Sequence, residues 1–206
     1  RQKKKESKIQ WKTFYKAVFA LVIPMALQNL INVGVTATDV VMLGRLGEKV
    51  LSGASLAGQI QYIMTLFLFG LTSGATVLTA QYWGKGDRRT IEKILALGIK
   101  ASLMVTAVFM IAALTVPGLL MKIFTNDPQV IAEGVKYLRI VAWSYILIGI
   151  TQVYLYTMRS VERVMIATVV YLCSLICNII LNSVFIFGLL GFPAMGIRGA
   201  ALATLI

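Results

Sequence analysis

From residue 17 onward the chain alternates between long apolar runs and short breaks of Gly, Pro or charge. The runs cover roughly Ala17 to Leu43, Leu51 to Gln81, Ile94 to Leu120, Tyr137 to Met158 and Met165 to Leu190; a sixth begins near Gly196 and is cut off at Ile206. Each complete run meets or exceeds the ~20 residues that an α-helix needs to cross a bilayer. The pattern predicts an all-α integral membrane protein with five spanning helices and the start of a sixth. Pro117 and Pro128 bracket the loop between the third and fourth runs, where Asn126 and Asp127 predict a turn into an amphipathic helix start. Gly70 and Gly74 in the second run form a G-x-x-x-G, a spacing that predicts close helix packing.

The first run carries the polar anomalies. Of the eight acidic residues, Asp39 alone lies within a membrane-length apolar run. A charge at such a position faces a cavity, a partner or a transport pathway. Gln28, Asn32, Thr36 and Asp39 follow at steps of four, four and three, which places them on one helical face. Pro24 lies in the same run, where it removes an intrahelical hydrogen bond and favours a kink, static or hinged.

The fifth run repeats the theme, with Ser174, Asn178 and Asn182 every four residues and Tyr171 one turn below. Two amides in an apolar helix need partners. Interhelical bonding satisfies that need, and so does a site for a proton or small cation built from Asp39 and the amide oxygens. In the fourth run Tyr145, Gly149, Gln152 and Tyr156 share a face. Aromatic and amide groups there suit flat, lipophilic, cationic molecules, and they suit ordinary bundle packing equally well.

Composition supports the membrane reading. Only 14% of the 206 residues are charged, against about 25% in soluble domains. The net charge of +12 does not form a nucleic-acid face, because the basic residues sit in short runs between apolar blocks. Residues 1–16 hold seven Lys or Arg and read as a cytosolic segment, with Trp11, Phe14 and Tyr15 at the headgroup level. With that end inside, thirteen basic residues fall in cytosolic segments and six in outer ones, with Lys100 inside the third run. This predicts a multi-pass cell-membrane protein with a cytosolic N-terminus. The chain starts on Arg1 and stops inside an apolar run, which suggests a piece of a longer protein.

Enzyme signatures are missing. There is no histidine, no H-E-x-x-H, no cysteine pair at metal spacing and no phosphate-binding G-x-x-x-x-G-K-[ST], and one intramembrane carboxylate does not build a hydrolytic site. Cys173 and Cys177 read as buried thiols.

Taken in order, Pro24 with Asp39, Gly44-Arg45-Leu46-Gly47, Ala80-Gln81-Tyr82-Trp83-Gly84-Lys85-Gly86-Asp87, Asn178-x-x-x-Asn182 with Phe185-Ile186-Phe187-Gly188, and Gly199-Ala200-Ala201-Leu202-Ala203-Thr204 resemble the multidrug and toxic compound extrusion (MATE) family, in its amino-terminal lobe. The resemblance implies twelve helices in two six-helix lobes, here with the sixth helix truncated and the carboxy-terminal lobe missing (domain 17–206). It also implies export of lipophilic or cationic drugs in exchange for H⁺ or Na⁺, with no other cofactor. In the branch it most resembles, the amino-lobe ion site maps onto Asp39, Asn178, Asn182 and Thr204, a set able to hold a proton or Na⁺. Asn182 stands where that branch has Asp, which leaves a single carboxylate. Gln28, Asn32, Thr36, Tyr145, Gln152 and Tyr156 are the expected substrate-cavity residues and Pro24 the expected hinge. The rival readings are a lipid-linked oligosaccharide flippase of the same superfamily and a non-transporting scaffold in which Asp39 ties helices together.

Overall fold

The first apolar run folds as one helix, α1 (Trp11–Gly44), in a computed structural model that describes residues 11–206. Residues 1–10 of the basic segment lie outside the described residues, and the rest of it, 11–16, is already helical. The helix runs unbroken through Pro24. It is followed by α2 (Glu48–Gly84), α3 (Arg88–Thr115), α4 (Pro117–Lys122), α5 (Pro128–Val141), α6 (Ser144–Ser160), α7 (Val164–Phe187), a 3₁₀ turn at Leu189–Gly191 and α8 (Ile197–Leu205). By length and composition α1, α2, α3 and α7 can each cross a membrane, and α5 with α6 make a fifth span bent by 57°.

The breaks have local causes. Pro117 lacks an N–H and disfavours helical geometry at Val116, whose φ of −127° ends α3. Pro117 then occupies the first turn of α4, where its missing donor does no harm. The fourth run is two helices because hydrogen bonding tightens at its middle: Trp143 N–H donates to Ile140 O and Tyr145 N–H to Ala142 O, both three residues back. Asp127 caps α5 by accepting from the N–H groups of Gln129 and Val130, as the Asn-Asp-Pro turn predicts. Asp87 caps α3 in the same way through Thr90. Gly188, at φ 74°, closes α7 in the left-handed geometry that glycine tolerates.

The helices pack in seams, chiefly α1 on α7, α2 on α5, α3 on α6 and α7 on α8. Between them lies a core of Met64 and Leu68 from α2, Met121 from α4, Leu138 from α5 and Tyr145 from α6. A second cluster of Leu43, Ala54, Ile186, Ile197 and Ala200 joins α1, α2, α7 and α8. Seam contacts are close where glycines allow it: a Cβ on Gly199 would lie 2.4 Å from Phe185 O of α7, and one on Gly53 would lie 2.7 Å from Gly134 N. The expectation for Gly70 and Gly74 is corrected, since no atom of another helix lies within 4 Å of a Cβ built at either. Outward-facing Leu30, Leu97, Met104 and Val108 are largely exposed, a surface matched to lipid tails. The cysteines are a second correction, because both are exposed. They sit about 140° and 100° around α7 from Asn178, on the side turned away from the α1 seam.

Candidate functional site

Among the described residues, the α1–α7 seam holds the buried side-chain amides Gln28, Asn178 and Asn182. Near its α8 end, Asn182 Nδ2 donates to Asp39 Oδ1 at 2.6 Å and to Asn178 Oδ1 at 3.0 Å. An amide nitrogen has two hydrogens, so both are used. Asn182 Oδ1 is buried with no hydrogen-bond partner among the described residues. Asn182 is fully buried, Asn178 nearly so, and Asp39 is half-buried. Thr204, on α8, donates its hydroxyl to Ala200 O within its own helix. The Tyr137 side chain of α5 lies beside Thr204. The Asp39 carboxylate is thus held by one neighbouring helix, α7, and Thr204 makes no bond to it among the described residues.

Tyr137 was not among the residues singled out from the sequence. It marks only the start of an apolar run, and a bend at Ala142–Trp143 is needed to turn α5 toward α8. The signal that could have found it is the α5 face Val130, Gly134, Leu138 and Val141, which is buried and has Tyr137 on its flank.

The polar stripe of α1 splits. Gln28 and Asp39 both face α7, whereas Asn32 and Thr36 are exposed, with Thr36 Oγ1 donating to Asn32 O. Helix geometry explains the division: at about 100° per residue, eleven residues bring Asp39 to within about 20° of Gln28, while Asn32 drifts by about 40° and Thr36 by about 80°.

As a substrate-cavity residue Gln28 is corrected. It is fully buried and bonded on three sides, donating to Val164 O at 3.1 Å and Thr168 Oγ1 at 2.8 Å and accepting from Arg159 Nη2 at 2.5 Å. Tyr145 is corrected as well, being a fully buried core residue. Tyr156 is half-buried, its ring edge-on to Phe69 and under the Arg159 guanidinium, and Gln152 is half-buried one turn away. Two cavities among the described residues, of about 510 and 470 Å³, are lined by none of the six expected cavity residues. Pro24 does line the second, beside the α6–α7 turn.

The Asp39 cluster offers oxygen acceptors, a carboxylate and two amide carbonyls. Such a set suits a proton or a hard cation and offers nothing to a soft metal. A single carboxylate is matched by a single positive charge.

Comparison with known proteins places this geometry in a family. The MatE family model matches residues 24–184, a span that contains Pro24, Asp39, Asn178 and Asn182. The probable multidrug resistance protein NorM of Rhizobium meliloti is 31% identical over 97% of this chain, and that of Mesorhizobium japonicum is 32% identical over 94%. The chain covers 43% and 42% of the length of those two relatives. Among solved structures, the MATE multidrug transporter DinF-BH, solved with a bound dye, superimposes with a TM-score of 0.85 at 22% identity, over 99% of this chain and 45% of that one. A MOP superfamily transporter from Pyrococcus furiosus superimposes with a TM-score of 0.82 at 22% identity, over 92% of this chain and 41% of that one. The all-α membrane fold is thus shared with these transporters over one lobe, and the chain belongs to the multidrug and toxic compound extrusion (MATE) family, of which it forms the amino-terminal lobe.

Proposed function

We propose that this chain is the ion-coupling lobe of a secondary active multidrug exporter, which moves lipophilic or cationic compounds out of the cell in exchange for H⁺ or Na⁺. The observation that carries the reading is the Asp39–Asn182–Asn178 chain, a carboxylate in a membrane-length helix held by amides of a second one. The relatives named as multidrug resistance proteins support the drug substrates. Membership of a transporter family favours transport over catalysis. The excess of basic residues on one side supports a cytosolic N-terminus.

In this mechanism Asp39, Asn178, Asn182 and Thr204 receive the coupling ion, and Asn182 Oδ1 supplies an acceptor that no other described residue uses. Ion or proton uptake cancels the Asp39 charge and weakens its bond from Asn182, which loosens the outer half of the α1–α7 seam. The ion shifts the transport equilibrium only by its differential affinity for the two states. Rocking of this lobe against a second one then supplies alternating access. Lipid surrounds the apolar faces.

The test is dye efflux from cells expressing the full-length protein with Asp39→Asn. Gradient-driven export should fall to background at unchanged expression. Normal export would sink the coupling role. The flippase alternative predicts competition by a lipid-linked sugar, and the scaffold alternative predicts no ion-dependent flux in the unaltered protein.

A further inference from the structure

At the other end of the α1–α7 seam, Gln28 is the centre of a second polar node. Its amide uses both N–H groups and its oxygen on three partners from α6 and α7: Arg159, Val164 and Thr168. Arg159 lies in the last turn of α6, its guanidinium 5.0 Å from the Tyr156 ring and 5.9 Å from the Tyr171 ring of α7. Tyr156 in turn meets Phe69 of α2 at 6.4 Å between ring centroids. One side chain of α1 is thereby tied to α6 and α7 directly and to α2 through Arg159 and the edge-on Tyr156–Phe69 pair.

The position of the node matters more than its bonds. Gln28 is one turn beyond Pro24, whose missing N–H leaves the Ala20 carbonyl without its helical donor. Beside that weakened turn lies the cavity of about 470 Å³, lined by Ala20, Leu21 and Pro24 on one side and Glu162, Arg163 and Met165 on the other. The first half of α1 thus has both a soft point and room to move. The node holds α1 one turn after the soft point. Asp39 sits eleven residues further on the same face, about 16 Å along the axis. Because Gln28 stands between Pro24 and Asp39, a displacement starting at Asp39 reaches the proline only if the node opens.

The node is also built to open. Arg159 Nε is buried with no partner among the described residues. Opening lets the guanidinium regain water, which offsets part of the bonds lost.

We propose that Gln28 and Arg159 form a latch: closed, it confines ion-driven movement of α1 to the segment beyond Gln28, and open, it frees the Pro24 half toward the α6–α7 turn. Arg159 is a positioning residue in this scheme and touches neither ion nor substrate. The proposal rests on Asp39 as the coupling group, and its tests separate the two claims.

Two measurements on the full-length protein decide it. In a background lacking the exposed Cys173 and Cys177, spin labels at Phe19 of α1 and Val169 of α7, both exposed, report the position of the Pro24 half without reference to transport. The parent should give one narrow distance distribution, and Gln28→Leu and Arg159→Leu should each broaden it or add a longer distance. An unchanged distribution overturns the latch even if the exporter reading fails. In proteoliposomes with an imposed H⁺ or Na⁺ gradient, Arg159→Leu should raise ion leak without dye by about tenfold, the factor carried by one charge-assisted hydrogen bond. Arg159→Lys keeps the charge but loses the planar stack and should give an intermediate leak. The double variant Gln28→Leu/Arg159→Leu should leak no more than either single one, since each removes the same contact. A purely structural role instead lowers export and leak together with the amount of folded protein, and that result overturns the proposal. A parent that exports no dye under either gradient refutes the exporter reading and leaves the label distances to judge the latch.

Discussion

Asn182 leaves the proposed ion site with Asp39 as its one carboxylate. As an amide it donates to Asp39 and Asn178 at once, which a carboxylate cannot do. Asn182→Asp would put two carboxylates within hydrogen-bond distance, an arrangement stable only when a proton or cation is shared between them. The variant should show a shifted pH or Na⁺ dependence of dye export, with more ions taken up per dye. Identical profiles for parent and variant would remove Asn182 from the site. Gln28 carries the complementary lesson. Identical in spacing logic to Asp39 and only about 20° away around α1, it ends in a different node because α7 presents Val164 and Thr168 there and not Asn178 and Asn182.

Helix seams are set by small residues, and so are their weak points. Gly199 lets α8 lie directly on α7, and its Cβ would meet Phe185 O at 2.4 Å. Gly199→Ala should destabilise the lobe by about 1–3 kcal/mol through overpacking, read as a lower melting temperature in detergent, and it should also disturb Thr204 on the same short helix. The start of α2 is joined to the start of α5 by the ion pair of Lys49 with Asp127. The bond from Lys49, with the Gln129 N–H behind it, holds the Asp127 carboxyl below the usual carboxylate range. A carboxyl lowered on folding contributes stability that is fully present above its unfolded value of about 4 and is lost as pH falls through the lowered folded value. Melting of the parent and of Asp127→Asn should therefore differ at pH 6 and converge towards pH 3, more weakly in high salt. A gap independent of pH would show that the pair contributes nothing through charge.

At the scale of the whole molecule, the exposed apolar belt and the distribution of basic residues define how the lobe sits in a membrane. A cysteine at Arg88, in a background lacking Cys173 and Cys177, should be labelled by an impermeant maleimide only from the cytosolic side. One at Arg45 should be labelled only from outside. Both native thiols must be replaced because both are exposed. The opposite labelling would invert the orientation and with it the direction assigned to the ion. The chain spans less than half the length of its relatives, so the central substrate path of the proposed exporter needs surfaces beyond this lobe. The open side of α1, with Asn32 and Thr36, is available to them.

Hydropathy alone located the four single-helix spans, because a bilayer demands about 20 apolar residues whatever surrounds them, but it did not show that the fourth run is two helices bent by 57°. It also isolated Asp39, since a charge in such a run has few structural excuses. Spacing paired Asn178 with Asn182 on one helix face. Tertiary structure alone decided the rest. It set Asn182 against Asp39, brought Tyr137 beside Thr204 through a bend that no proline announces, and turned Tyr145 into the core. It also divided one polar stripe into two buried ends, Gln28 and Asp39, and an exposed middle, Asn32 and Thr36. Periodicity reports which residues share a face, but the neighbour that face meets changes along a 34-residue helix, and only packing says where.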